Sequence, residues 1–142
     1  MKKTNKLCIL VTALSFAAIL CVLLGKSIIS GSGFTLSYPF IDALFPSADS
    51  SFRPSTIIYV WMLVGGSVVA SALIWLRRAL SALAGCVVSL SSLAYHVVRS
   101  VQNGYSVFQI DGVWEFFMLA LPLAAAVACI ALFRAIKEEA QA

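Results

Sequence analysis

The chain has little charge and few side chains that could carry out catalysis, and both shortages narrow its function. Charged residues make up 11% of the 142 residues, against about 25% in soluble domains. A haem ligated by two histidines of this chain is excluded, because His96 is the single histidine. The sequence also contains no phosphate-binding loop, dinucleotide fingerprint or serine-hydrolase elbow. We therefore expect neither enzyme activity nor a cofactor.

The four cysteines do not form a redox or metal-binding motif. They are too far apart in the sequence for the C-x-x-C pair of zinc knuckles and thiol oxidoreductases, and we expect no metal site. Each lies in an apolar stretch, where cysteine behaves as a small apolar packing residue. These residues are Cys8, Cys21, Cys86 and Cys129.

Apolar residues, by contrast, make up 61% of the sequence and form four long stretches. Each stretch is about twenty residues long, which is enough to cross a hydrocarbon core of about 30 Å as a helix. None shows the alternation of a barrel strand. The sequence predicts an all-α polytopic membrane protein, a single domain over residues 1–142 folded as an antiparallel four-helix bundle. The predicted spans are Leu7–Leu24, Thr56–Leu76, Ala79–Val98 and Val113–Phe133.

Basic residues flank these spans unequally. Seven of the ten lysines and arginines precede the first span, separate the second from the third, or follow the fourth. The positive-inside rule then places both termini in the cytoplasm and the 25–55 loop outside. This bias explains the net charge of +4, and scattered flanking charges are not a nucleic-acid-binding patch. We expect a multi-pass protein of a bacterial inner membrane with no nucleic-acid partner.

The first span is predicted to remain in the protein rather than to be cleaved as a signal peptide. Its apolar run is longer than the 7–15 residues of a signal-peptide core. No small-residue cleavage site follows it, and the bulky Leu20 before Cys21 is unfavourable for lipoprotein processing.

Small and weakly polar residues recur along the third span at spacings of four and three. This spacing keeps them on one helix face, and small residues dominate helix contacts in lipid because they allow close backbone approach. We interpret the face as a helix-packing seam; the alternative is a polar path through the bundle. The seam comprises Ala82, Gly85, Ser89 and Ser92, with Gly66 and Ala70 as a matching pair on the second span.

Pro122 lies in the middle of the fourth span. It has no amide hydrogen, and its ring crowds the carbonyl group four residues earlier. A kink is therefore expected near Met118. The kink is either a hinge or a static feature of the helix.

Ionisable residues gather where the third span ends and the fourth begins. His96 and Arg99 lie on one side of the short connection, and Asp111 and Glu115 on the other. Ionisable groups at membrane depth are usually paired or functional. We predict that Arg99 lies within ion-pair reach of Glu115, with Asp111 as the alternative acid. The cluster is then a structural salt bridge, a proton-linked or ligand-binding site, or a set of solvated flanking charges.

The 25–55 loop contains an apolar segment. Its apolar residues alternate with polar ones, which predicts an extended segment with one apolar face, followed by a short helical turn over 41–45. The face either anchors in the lipid headgroups or forms a docking surface for a partner. It consists of Phe34, Leu36, Tyr38 and Phe40.

Together these features favour a non-catalytic membrane protein that acts by binding. We expect an accessory or assembly subunit of a larger membrane complex. Its partners would be the lipid bilayer and other membrane subunits or a second copy of the chain. The alternative is an oligomeric transporter or channel protomer for small solutes or protons, with the seam as its polar route.

The charge bias makes a prediction about topology. Reporter domains fused after Ala142 or within Arg77–Arg78 should report a cytoplasmic location, and a reporter in the 47–51 segment should report the outside. An external C-terminus would contradict both the orientation and the count of four spans.

Overall fold

The structure, a computed structural model, describes residues 2–49, 52–107, 110 and 112–142. Four of its helices are long and apolar enough to cross a membrane. The predicted helical, polytopic membrane fold is thereby confirmed. The elements in chain order are α1 (Lys3–Leu24), β1 (Lys26–Gly31), β2 (Phe34–Pro39), α2 (Ile41–Leu44), α3 (Pro54–Ile74), α4 (Ala79–Gln102) and α5 (Val113–Gln141).

The helix ends differ from the predicted spans because hydropathy marks the apolar part of a helix rather than its limits. Helices α4 and α5 continue to Gln102 and Gln141, into polar sequence beyond the apolar runs. Helix α3 ends earlier than predicted, at Ile74. The turn to α4 contains Arg77 in a left-handed conformation, with φ of 53°, which is uncommon for a residue other than glycine.

The four long helices form a square bundle. Helix α1 packs against α3 and α5, and α4 packs against the same two helices. Helices α1 and α4 are therefore at opposite corners. Buried apolar residues form one core cluster around Tyr59 and Met118 and a second around Cys8 and Leu132.

The predicted seam of α4 faces the interior of this bundle. Ala82, Ser89 and Ser92 are buried, as is Ala70 on α3. A side-chain carbon built at Gly85 would lie 3.4 Å from the Cys129 sulfur and 3.4 Å from an Ile74 methyl carbon. Both are ordinary van der Waals distances, so Gly85 packs between α3 and α5 with room for a methyl group.

Gly66 marks a closer approach, between α3 and α4. A side-chain carbon at Gly66 would lie 3.1 Å from the carbonyl oxygen of Val88, which belongs to the α4 backbone. The neighbouring Gly65 is exposed, with open space at the corresponding position.

An antiparallel hairpin of β1 and β2 follows α1. Lys26 pairs with Pro39 and Gly31 with Phe34, and Gly33 adopts a φ of 90° in the connecting turn. The extended segment and the short helix after it agree with the predictions, whereas strand β1 was not anticipated. Its sequence lacks the clear alternation of β2, so its pairing was not recognisable.

One residue of the predicted loop surface needs correction. Phe34 and Leu36 are exposed and Tyr38 is half-buried, but Phe40 is only 3% exposed. The Phe40 amide donates to the carbonyl of Gly25, 3.0 Å away, which turns the chain back over the end of α1. Phe40 is therefore a core residue and not part of a docking surface.

The two adjacent glycines of α3 make a test of the close approach to α4. Gly66→Val should lower the free energy of unfolding by about 1–3 kcal/mol, because its side chain would press on the Val88 carbonyl. Gly65→Val brings the same change in helix propensity without a clash and serves as the control. Reversible unfolding in detergent measures both, and equal effects would contradict the close approach.

Candidate functional site

A pocket of about 390 Å³ opens at the end of the bundle that carries the β-hairpin, here called the hairpin end. Its volume is within the range of about 300–1,000 Å³ typical of small-molecule sites. The hairpin, the starts of α3 and α5, and the end of α4 all contribute to its wall. The lining residues are Ser27, Tyr38, Phe40, Phe52, Arg53, Ser55, Thr56, Tyr59, His96, Arg99, Ser100, Asn103, Tyr105, Ser106, Glu115, Met118 and Leu119.

Arg99 contacts three neighbouring side chains in this pocket. Its Nη1 donates to Thr56 Oγ1 at 3.3 Å, and its Nη2 lies 3.2 Å from His96 Nδ1. The guanidinium carbon lies 4.3 Å from the centre of the Tyr59 ring, which is a cation–π distance. These three partners are uncharged when His96 is neutral, so they position the guanidinium without neutralising it.

His96 is buried, and its hydrogen bonds define its tautomer. Its Nε2 lies 3.2 Å from the carbonyl oxygen of Val107. A carbonyl can only accept, so Nε2 carries the hydrogen, and the Nδ1 lone pair accepts from Arg99. The neutral Nε2–H form fits both bonds. His96 thus ties the end of α4 to the connection that leads to α5 and orients Arg99.

Tyr59 connects the pocket to the predicted kink. It is 3% exposed, and its hydroxyl donates to the Met118 carbonyl at 3.3 Å. In a regular helix that carbonyl would accept from the amide of residue 122, but Pro122 has no amide hydrogen. The Tyr59 hydroxyl therefore replaces the missing helix bond. Pro122 lies inside the continuous helix α5, and a bend near Met118 stays a prediction.

Tyr59 was not predicted as a site residue. The free carbonyl expected four residues before Pro122 was the available signal, since it needs a donor in an apolar environment. The spacing along the chain did not indicate which helix would supply that donor.

Glu115 is half-buried in the pocket wall. It lies at the start of α5, after the connection that follows His96 and Arg99. The charges of Glu115 and Arg99 interact electrostatically. A direct contact between the two groups stays a prediction, and the alternative acid, Asp111, lies outside the described residues. The structure thus brings three of the four predicted ionisable residues to one pocket.

Arg53 adds a second guanidinium at the rim. It is exposed and donates from Nη1 to Asn103 Oδ1 at 3.3 Å. Its guanidinium carbon also lies 5.8 Å from the centre of the Tyr105 ring. Arg53 was not predicted as a site residue, because the start of α3 and the end of α4 are far apart along the chain.

The bundle interior also holds a small space next to Ser89. Serines of α1, α3 and α4 line it, namely Ser15, Ser67, Ser89 and Ser92. Among the described residues, the buried Ser89 hydroxyl has no hydrogen-bond partner. The space measures about 10 Å³, which is close to the lower limit for one water molecule.

The link between Tyr59 and the proline can be tested with a double-mutant cycle. Tyr59→Phe should lower the free energy of unfolding by about 1–3 kcal/mol, because a buried carbonyl loses its donor. The same substitution should cost less in a Pro122→Ala background, where the backbone amide can satisfy that carbonyl. Unfolding in detergent measures the coupling.

Tyr95→Phe is the matched control for this cycle, because Tyr95 is half-buried on α4. Its effect should be the same in both backgrounds. Strict additivity of Tyr59→Phe and Pro122→Ala would mean that the hydroxyl does not replace the missing bond.

Comparisons with known proteins add no relatives: no protein-family model, no curated protein and no solved structure matches this chain.

Proposed function

We propose that this chain is a non-catalytic, multi-pass membrane protein that acts by binding in the pocket at the hairpin end, as an accessory subunit of a larger membrane complex. The observation that carries the proposal is the pocket itself. Charged and hydroxyl side chains from several elements converge on a space of about 390 Å³. Convergent polar groups in a preformed cavity are typical of binding sites.

The hydrogen bonds of His96 favour binding over catalysis. A general base needs a free nitrogen within reach of a substrate proton. Both ring nitrogens of His96 already have partners, Val107 on one side and Arg99 on the other. The histidine therefore serves better to position Arg99 than to transfer a proton.

The interior of the bundle gives less support to the transport alternative. A solute route along the α4 seam would pass the small space beside Ser89. That space of about 10 Å³ accepts at most one water molecule. Binding at the hairpin end requires no such opening.

Exposed apolar residues near the same end support the accessory role. Phe45 is 75% exposed and contacts Trp61, with a ring separation of 6.4 Å. Phe34 and Leu36 on β2 are also exposed. These side chains can contact lipid or a neighbouring subunit. The proposal includes cytoplasmic termini and an outward-facing pocket in a bacterial inner membrane, on the basis of the charge bias.

Affinity purification from membranes in mild detergent tests the role directly. The wild-type chain should recover one defined membrane partner in near-stoichiometric amounts. Ser55→Trp places a large ring at the pocket wall and should reduce that recovery severalfold, because the pocket would no longer accept its occupant. Ala140→Trp, at an exposed position near the opposite end, is the control.

Two results would contradict parts of this proposal. Equal recovery with Ser55→Trp and Ala140→Trp would show that the pocket is not involved. A partner-free monomer in several mild detergents would contradict the accessory role.

A further inference from the structure

We propose that the pocket at the hairpin end recognises an oxyanion, a phosphate or carboxylate group carried on an organic body, with Arg99 as its main ligand and Arg53 at the rim. The inference rests on the proposed function, since it names the ligand class of the same pocket. Two sources carry this chemistry, an anionic lipid headgroup and a soluble organic anion.

The described wall of the pocket carries more positive than negative charge. The described lining residues include two guanidinium groups, those of Arg53 and Arg99, and one carboxylate, that of Glu115. With His96 in its neutral form, positive charge is in excess. A low-dielectric pocket strengthens the attraction of such an excess for an anion.

The donor capacity of Arg99 is the second argument. A guanidinium has five N–H donors in a planar fork, and the recorded hydrogen bonds of Arg99 use two of them, at 3.2 and 3.3 Å. Charge-assisted bonds to an oxyanion are shorter, about 2.7–2.9 Å, and stronger. An oxyanion would thus satisfy the remaining donors better than the neutral groups already present.

The surroundings of Arg99 supply further donors. Ser55 and Thr56 line the pocket from the first turn of α3. Pro54, the first residue of that helix, has no amide hydrogen, and the Thr56 amide donates to the Arg53 carbonyl at 2.9 Å. The helix therefore favours an anion through the positive end of its dipole rather than through free amides. Tyr38 and Tyr105 line the same pocket.

The rest of the wall indicates the organic part of the ligand. Phe52 and Leu119 are half-buried apolar residues of this wall, and the nearly buried Phe40 and Met118 lie behind them in the core. A bare inorganic anion would leave this surface unused. An oxyanion attached to a short aliphatic or glycerol-like body would contact both kinds of wall.

Thermal unfolding of the full chain in nanodiscs tests the inference, with tryptophan fluorescence as the readout. One arm uses phosphatidylcholine nanodiscs and adds glycerol phosphate against sodium chloride at equal ionic strength. The other arm compares phosphatidylcholine with phosphatidylglycerol nanodiscs. We expect the unfolding temperature to rise in at least one arm, because a ligand that binds the folded state stabilises it.

Variants assign the effect to the pocket. Arg99→Gln should weaken the apparent affinity by about tenfold or more, since it removes charged hydrogen bonds. Arg53→Gln, at an exposed rim position, should weaken it less. Arg134→Gln removes an equal charge from an exposed site near the other end of the bundle and should leave the affinity unchanged. If Arg99→Gln does not fold, Arg99→Lys and Arg53→Gln provide the comparison.

Each result has a defined meaning. An Arg99-dependent rise with glycerol phosphate identifies a soluble anion, and one seen only with phosphatidylglycerol identifies a lipid headgroup. No rise in either arm, or an equal loss with Arg134→Gln, overturns the inference. Pocket-dependent recovery of a partner without any anion effect would leave the proposed function standing. An Arg99-dependent anion effect without recovery of a partner would support the inference and contradict the accessory role.

Discussion

A backbone carbonyl without a helix partner organises the hairpin end of this protein. Pro122 cannot donate to the carbonyl of Met118, and an unsatisfied buried carbonyl costs free energy in an apolar environment. The Tyr59 hydroxyl supplies the missing donor. Its ring is thereby fixed where Arg99 lies over it and His96 lies beside it. The Tyr59 ring thus links the carbonyl left free by Pro122 to two pocket side chains of α4.

The hydropathy and charge of the sequence were sufficient to predict the four long helices, because span length and apolar composition are local properties. The inward seam of α4 was also predictable, since Ala82, Ser89 and Ser92 follow the helical period. Pairings between distant segments were not predictable. Strand β1 depends on its partner β2, and Phe40 turns inward because of a bond to Gly25, neither of which is encoded in a local pattern.

The candidate site was likewise predictable only where it depends on neighbouring sequence. The sequence placed His96, Arg99 and Glu115 at adjacent helix ends, because a short connection joins α4 to α5. It did not place Tyr59 or Arg53 there, since Tyr59 belongs to α3 and Arg53 directly precedes that helix, and both reach the pocket only through packing. The predicted partner of Arg99 was an acid, whereas its recorded hydrogen bonds go to Thr56 and His96. Charge pairing can be anticipated from residue type, but hydrogen bonds to neutral groups depend on tertiary geometry.

The two ends of the bundle use charge differently. Near the termini, Lys3 pairs with Glu138 at 3.3 Å between exposed side chains, and such surface pairs contribute little to stability. At the hairpin end, the half-buried guanidinium of Arg99 is held largely by neutral partners. Keeping a cation there costs desolvation, and a simple packing role would be met by an apolar side chain. An anion bound in the pocket, as we propose, would offset that desolvation cost.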